Sequence, residues 1–248
     1  MPRYFLELAY KGTNYSGFQK QKNANTIQSE VEKAFQILHS QPVELVGSSR
    51  TDAGVHALQN YFHFDYNELH PQFLYKMNAI LPDDVVLKKV YAVHSDAHAR
   101  FDALSRRYEY RMFQTKNPFI QGQALYYPFK IDIALMQQAA KIIKDEKYFF
   151  AFCKTNTQVK NFECNIYHSD WENKKGFIIY TIEANRFLRG MVRLLTASML
   201  QVGRKKITID EFVCLFKLDG KCGFSIPSVG LFLTHVHFHS EIIQNPLA

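Results

Sequence analysis

No part of this 248-residue sequence approaches the roughly 18 consecutive apolar residues that a helix needs to cross a bilayer, and no polybasic block adjoins an amphipathic anchor. Membrane attachment is therefore not expected. The opening residues Met1-Pro2-Arg3-Tyr4-Phe5-Leu6-Glu7-Leu8 place an acid inside a short apolar run, unlike the unbroken core of a signal peptide, so a cytoplasmic location is expected. Cysteine is sparse. Cys153, Cys164, Cys214 and Cys222 show no C-x-x-C spacing, and the chain is too long to need a disulfide scaffold, so they read as reduced and mostly buried thiols. Low-complexity segments, linkers and residue-level repeats are missing as well, which excludes a tandem array.

What is present is a hydrophobic, aromatic-rich and basic composition. Hydrophobic residues make up 47% of the chain, well outside the composition of disordered proteins, and the length allows one large domain or two lobes. The formal net charge of +7 favours polyanionic partners such as nucleic acid.

Alternation of Tyr4, Leu6, Leu8 and Tyr10 predicts a first strand with one apolar face and Glu7 on the other. Asn25 or Thr26 can cap a helix carrying Ile27, Val31, Ala34, Phe35 and Leu38, which Pro42 ends. A strand from Val43 to Gly47, one containing Phe62 and Phe64, a helix from Pro71 to Leu81 and a strand from Val85 to Val93 complete a β-α-β-β-α-β order, the split βαβ of ferredoxin-like folds. The second half repeats the rhythm. A strand from Arg106 to Phe113 and a helix from Ile133 to Lys144 precede strands from Phe162 to Trp171 and Phe177 to Ala184. A long helix from Leu188 to Val202, a short one led by Phe212, Leu215 and Phe216, and a last strand from Leu231 to His239 follow. A basic segment from Arg100 to Arg107 marks the seam between halves, and such seams favour ligand clefts.

Between the second and third strands lies Ser49-Arg50-Thr51-Asp52-Ala53-Gly54-Val55-His56. A carboxylate on such a loop, shielded from water and paired with an arginine, stays ionised and can act as a nucleophile; the same residues also suit a plain turn, with Asp52 bonding its own backbone. Four further segments bear on the choice. Ala9-Tyr10-Lys11-Gly12-Thr13-Asn14-Tyr15-Ser16-Gly17-Phe18-Gln19-Lys20-Gln21 is similar to a motif written Y-D-G-x-x-Y-x-G-W-Q-x-Q, and Gly47 to Ala57 to one written G-A-G-R-T-D-A-G-V-H-A. His98-Ala99-Arg100-Phe101 with Arg106-Arg107-Tyr108-Glu109-Tyr110, Asn185-Arg186-Phe187-Leu188-Arg189-Gly190-Met191-Val192-Arg193, and Pro227-Ser228-Val229-Gly230-Leu231-Phe232-Leu233 follow in order. Together these five segments resemble the tRNA pseudouridine synthase A family over nearly the whole chain.

The resemblance implies an α+β pseudouridine synthase fold: two ferredoxin-like lobes with mostly antiparallel sheets flanking a central basic cleft. Residues 1–104 would form the catalytic lobe carrying the Asp52 loop, and residues 105–248 a C-terminal lobe completing the cleft. It implies isomerisation of uridine to pseudouridine in the anticodon stem-loop of tRNA, by a homodimer, with no cofactor and no metal. The reaction breaks C1′–N1 and joins C1′ to C5 without redox change. By resemblance Asp52 is the nucleophile, whether it attacks the base or the sugar or removes a sugar proton. Arg193 is its counter-charge across the cleft, and Tyr108 stacks on the uracil and relays the C5 proton. Leu231 would floor the base, and Arg50 would fill the gap left by the flipped nucleotide. Arg100, Arg106, Arg107, Arg186 and Arg189 would add phosphate contacts.

Departures from the family pattern are Phe18 in place of tryptophan, Lys11 in place of an acid, Ser48-Ser49 in place of residues ending in glycine, and the stretch from Tyr148 to Cys164. An RNA-binding relative without catalysis would use Asp52 structurally. A metal hydrolase would have to use His235, His237 and His239, which alternate on the last strand. Same-face neighbours on a strand stand about 7 Å apart, too far for all three to hold one ion, and the pattern predicts instead a polar face beside Leu231 and Leu233, opposite a buried Phe232, Val236 and Phe238.

Overall fold

In a computed structural model of the chain, all residues except 156–158, 218–219, 245 and 248 are described. The chain divides into two compact units: Met1–Leu104 with Leu233–Ala248, and Ser105–Phe232. The first boundary falls inside the basic segment between Arg100 and Arg107. The second unit ends at Phe232, so the closing residues belong with the first unit and not with a C-terminal lobe running from 105 to 248.

The first unit is built on β1 (Arg3–Tyr10), α1 (Ile27–His39), β2 (Val46–Gly47), β3 (His56–Asp65), α2 (Phe73–Ile80) and β4 (Val85–Val93). Its sheet runs β4-β1-β3 with β2 paired outside β3, every pairing antiparallel, which is the split βαβ arrangement. Thr26 is the residue that caps α1. Its hydroxyl accepts from the Ser29 N–H at 3.2 Å while Ser29 Oγ accepts from the Thr26 N–H at 3.0 Å, a reciprocal cap worth about 1 kcal/mol. The face bearing Tyr4, Leu6, Leu8, Phe62 and Phe64 meets α1 and α2, with the Phe35 ring edge-on to both Phe64 and Phe73. The strand expected from Val43 keeps only Val46 and Gly47.

The other face of β1 is not the solvent face that its alternation predicts. Phe5 and Glu7 are buried, because the segment from His94 to Leu104 and the chain's closing residues lie over them. The Ala99 N–H donates to His63 Nδ1, the His63 ring lies against Phe5, and Phe238 packs edge-on against Phe5. Glu7 keeps its charge in this setting. Burial raises its pKa, but Lys88 at 3.2 Å, then Gln59 and the Tyr61 hydroxyl, more than offset this, and the net displacement is downward.

The second unit comprises β5 (Ser105–Phe113), β6 (Leu125–Tyr126), α3 (Ile133–Asp145), β7 (Ile166–Lys174), β8 (Phe177–Ala184), α4 (Met191–Gly203) and α5 (Ile209–Cys214). Its strands run β5-β8-β7, antiparallel, with β6 beside β5. The β7–β8 hairpin turns on Lys175 and Gly176, both at positive φ, as a two-residue hairpin turn that matches strand twist requires. Trp171 stacks on Tyr180 and donates its indole N–H to Met199 of α4, which joins sheet and helix. α4 is buried along nearly its whole length, and only Arg193 and Gln201 are not counted in the core. It begins at Met191, three residues later than periodicity predicts, because Gly190 adopts a left-handed conformation at its start. A last strand, β9 (Leu231–His237), is buried on both faces at first and opens at His235. Leu231 and Leu233 therefore sit in the core together with Phe232 and Val236.

Candidate active site

Asp52 stands on the loop between β2 and β3, and that loop is shaped by contacts with the segment Tyr10–Phe18. The Phe18 N–H donates to the Thr51 carbonyl at 3.1 Å, and the Gly54 N–H donates to the Tyr15 carbonyl at 3.3 Å. Gly12 lies so close to the loop that a Cβ there would come within 2.0 Å of the Val55 carbonyl oxygen. Gly17, at φ +106°, approaches less closely: a Cβ there would lie 3.0 Å from the Thr51 carbonyl oxygen. Two backbones approach here with no side chain between them, and glycine permits it. The first glycine-rich motif is thus a template against which the Asp52 loop is cast.

Side chains complete the mould. Tyr10 OH and Thr51 Oγ1 are 2.8 Å apart and buried, and Asn60 Nδ2 donates both to Tyr10 OH and to the Ser49 carbonyl at 2.9 Å. The Gly12 N–H donates to His56 Nδ1 at 3.2 Å, so the buried imidazole carries its proton on Nε2. Phe18 stacks on Phe62 with ring centroids 4.6 Å apart, filling the place that tryptophan takes in the family pattern. Thr51 and Val55 are buried, Arg50 is exposed, and Asp52 is half-buried between them. The loop thus presents its charged side chains outward from a backbone fixed on both edges. The hydroxyls of Ser48 and Ser49 are buried at its start with no hydrogen-bond partner.

In the second unit Arg193, in the first turn of α4, donates Nε–H to the Ile226 carbonyl at 2.7 Å. Arg189 and Arg193 do not share a helix face, since Arg189 precedes the left-handed Gly190 and is exposed. Tyr108, opposite Ile182 on β8, is half-buried and packs edge-on to Phe187, while its alternate neighbours Tyr110 and Met112 are fully buried. Leu231 is buried at the head of β9. The turn before it is tight: the Arg111 N–H donates to the Gly230 carbonyl, and Tyr110 OH donates to the Pro227 carbonyl at 2.7 Å.

Two arginines expected to hold phosphate already carry structural bonds. Arg107 makes two bonds to Glu183 Oε2, at 2.8 and 2.6 Å, and Arg106 Nη1 donates to the Asn185 carbonyl at 3.0 Å. Arg186 is half-buried beside Asn185, whose Oδ1 accepts from its N–H. Arg100 is exposed, with its guanidinium 5.6 Å from the centre of the Phe101 ring. Among the described residues no group of three His, Cys, Asp or Glu side chains is arranged to hold a metal ion. His235 and His237 stack on the exposed side of β9, with centroids 5.8 Å apart. Cys153, Cys164 and Cys222 are buried, and Cys214 is exposed. No helix among the described residues is long and apolar enough to cross a membrane.

An α+β chain with an antiparallel split βαβ sheet and a templated Arg-Thr-Asp loop has the features of the pseudouridine synthases. Comparison with known proteins makes the class specific. Residues 8–102 and 139–239 match the family model described as tRNA pseudouridine synthase. The chain is 40% identical to tRNA pseudouridine synthase A of Parabacteroides distasonis over 98% of both chains. It is 38% identical to that of Bacteroides thetaiotaomicron, over 98% of this chain and 93% of the relative, and 34% identical to that of Staphylococcus aureus strain Newman, over 98% and 94%. The chain belongs to the tRNA pseudouridine synthase family, whose reaction is the isomerisation of uridine in tRNA.

Proposed function

We propose that this chain isomerises uridines of the anticodon stem-loop of tRNA, acting as a homodimer in the cytoplasm with Asp52 as its nucleophile. The observation that carries the reading is the loop itself. A half-buried aspartate beside an exposed arginine stands on a backbone fixed by Phe18, Tyr15 and Asn60, the rigid support that a reacting group requires. The bond from C1′ to N1 breaks, the base turns, and C1′ joins C5. The proton leaving C5 is matched by one gained at N1, so atoms and charge balance without a cofactor.

In this reading Asp52 attacks the base or the sugar, or removes a sugar proton, and the family resemblance assigns Arg193 the role of its counter-charge. Tyr108 stacks on the detached uracil, and its hydroxyl carries the C5 proton. Leu231 supplies apolar surface under the base. Arg50 takes the place of the flipped nucleotide, because a planar guanidinium both stacks and bonds phosphate. Arg100, Arg186 and Arg189 supply backbone contacts; Arg106 and Arg107 do so with what their bonds to Asn185 and Glu183 leave available. The test is tritium release from C5-labelled tRNA by the wild type and Asp52→Ala. Loss of turnover with retained tRNA binding is expected, and turnover surviving in the variant would overturn the role of Asp52.

A further inference from the structure

Asp84 lies in the turn between α2 and β4, 32 residues beyond Asp52 in sequence, yet three groups of the templating segment close on it. The Lys11 N–H donates to its carbonyl at 2.8 Å, Asn14 Nδ2 donates to Oδ2 at 3.3 Å, and the hydroxyl of Tyr15 donates to Oδ1 in a short bond. Tyr15 is buried. Burial, and then Asp84 itself, push the Tyr15 hydroxyl well above its ordinary pKa, so it remains a donor throughout the physiological range. A bond from a hydroxyl to an ionised carboxylate is among the stronger ones a protein makes, and it fixes a ring that would otherwise pivot about its own side-chain torsions.

The other end of Tyr15 is its carbonyl, which accepts from the Gly54 N–H, two residues after Asp52. The turn that Asp84 clamps, Gly12 to Tyr15, also supplies the N–H that orients His56 and the Cα that touches the Val55 carbonyl. Asp84 therefore holds the near side of the template, and the template holds the loop. We infer that Asp84 is a positioning residue for the Asp52 loop, acting through Tyr15 to set the place of Gly54 and with it the direction of the Asp52 carboxylate.

This rests on Asp52 being the nucleophile, and the test separates the two. Tritium release is measured for Asp84→Asn, Tyr15→Phe and the double variant, well below each melting temperature, alongside Asp52→Ala. Each single change is expected to lower kcat on the order of 10-fold while KM for tRNA stays within about 2-fold, since misplacing a reacting group acts on the chemical step. The double variant is expected to be no slower than the slower single one, because both changes cut the same link. The pH dependence of kcat is expected to be unchanged. Wild-type kcat in both single variants, losses that multiply in the double variant, or a pH profile displaced by Asp84→Asn would each overturn the positioning role. Turnover persisting in Asp52→Ala would instead sink the nucleophile assignment, whatever the Asp84 variants do.

Discussion

Replacing Gly12 by alanine would place a methyl carbon 2.0 Å from the Val55 carbonyl oxygen and 2.7 Å from its carbonyl carbon. Comfortable contact between non-bonded heavy atoms begins near 3.5 Å, so the two backbones must part by roughly 1 Å or more. Neither side can yield cheaply. Gly12 is anchored through its N–H to His56 and through its carbonyl to the Tyr15 N–H, and Val55 donates to the Asp52 carbonyl. Overpacking of this kind costs about 1–3 kcal/mol, which in a chain of this length lowers Tm by roughly 2–12 °C. The effect on chemistry should be larger, because a displacement of about 1 Å at a reacting group costs about 100-fold in rate. Single-turnover tritium release from labelled tRNA should therefore fall about 100-fold at a temperature where the variant is folded, with tRNA affinity changed by less than about 3-fold. Gly176→Ala is the matched control. Gly176, unlike Gly12, has positive φ, and nothing lies within 4 Å of a Cβ there, so backbone strain should lower Tm and leave kcat alone. A Gly12→Ala enzyme with wild-type kcat and merely a lower Tm would refute the idea that close backbone approach places Asp52.

Arg193→Lys should lower kcat much more than it weakens tRNA binding, because lysine keeps the charge but not the fork of donors, one of which already holds the Ile226 carbonyl. Equal losses in single-turnover rate and in filter-binding affinity would make Arg193 a phosphate contact instead. Acid sensitivity should trace in part to His63, whose pKa is pushed down to about 4 by burial, then by His98 and Arg3. The folded state therefore binds fewer protons than the unfolded chain between about pH 4 and 6.5. The stabilisation is present above that window and is lost as pH falls through it, by about 2 kcal/mol between pH 7.5 and 5. Urea unfolding at the two pH values should show this loss shrinking in His63→Gln, and an unchanged pH dependence would refute the assignment.

Local pattern determined much of this protein before any long-range contact is considered. β4 and β8 occupy the ranges their alternation predicts, and α1 starts where Thr26 can cap it, because periodicity and capping depend on residues a few positions apart. Five ordered motifs likewise mark Asp52, Arg193 and Tyr108 as residues to examine. Tertiary structure decided the rest. Glu7 alternates to the face opposite Leu6 and Leu8, but it is buried, because Lys88 and Tyr91, more than 80 residues away, close on it together with Tyr61. Arg189 falls within the helix that periodicity predicts from Leu188, but Gly190 turns left-handed and starts α4 only at Met191. The last strand divides at Phe232, so the chain's closing residues belong to the first unit. Most telling is the loop around Asp52: beside the nearby Asn60, the bonds that shape it come from Tyr10, Gly12, Tyr15, Phe18 and, through Tyr15, Asp84, residues about 30 to 45 positions away along the chain. A sequence can display a nucleophile and its motif. The direction in which that carboxylate points is set by backbones that meet only after folding.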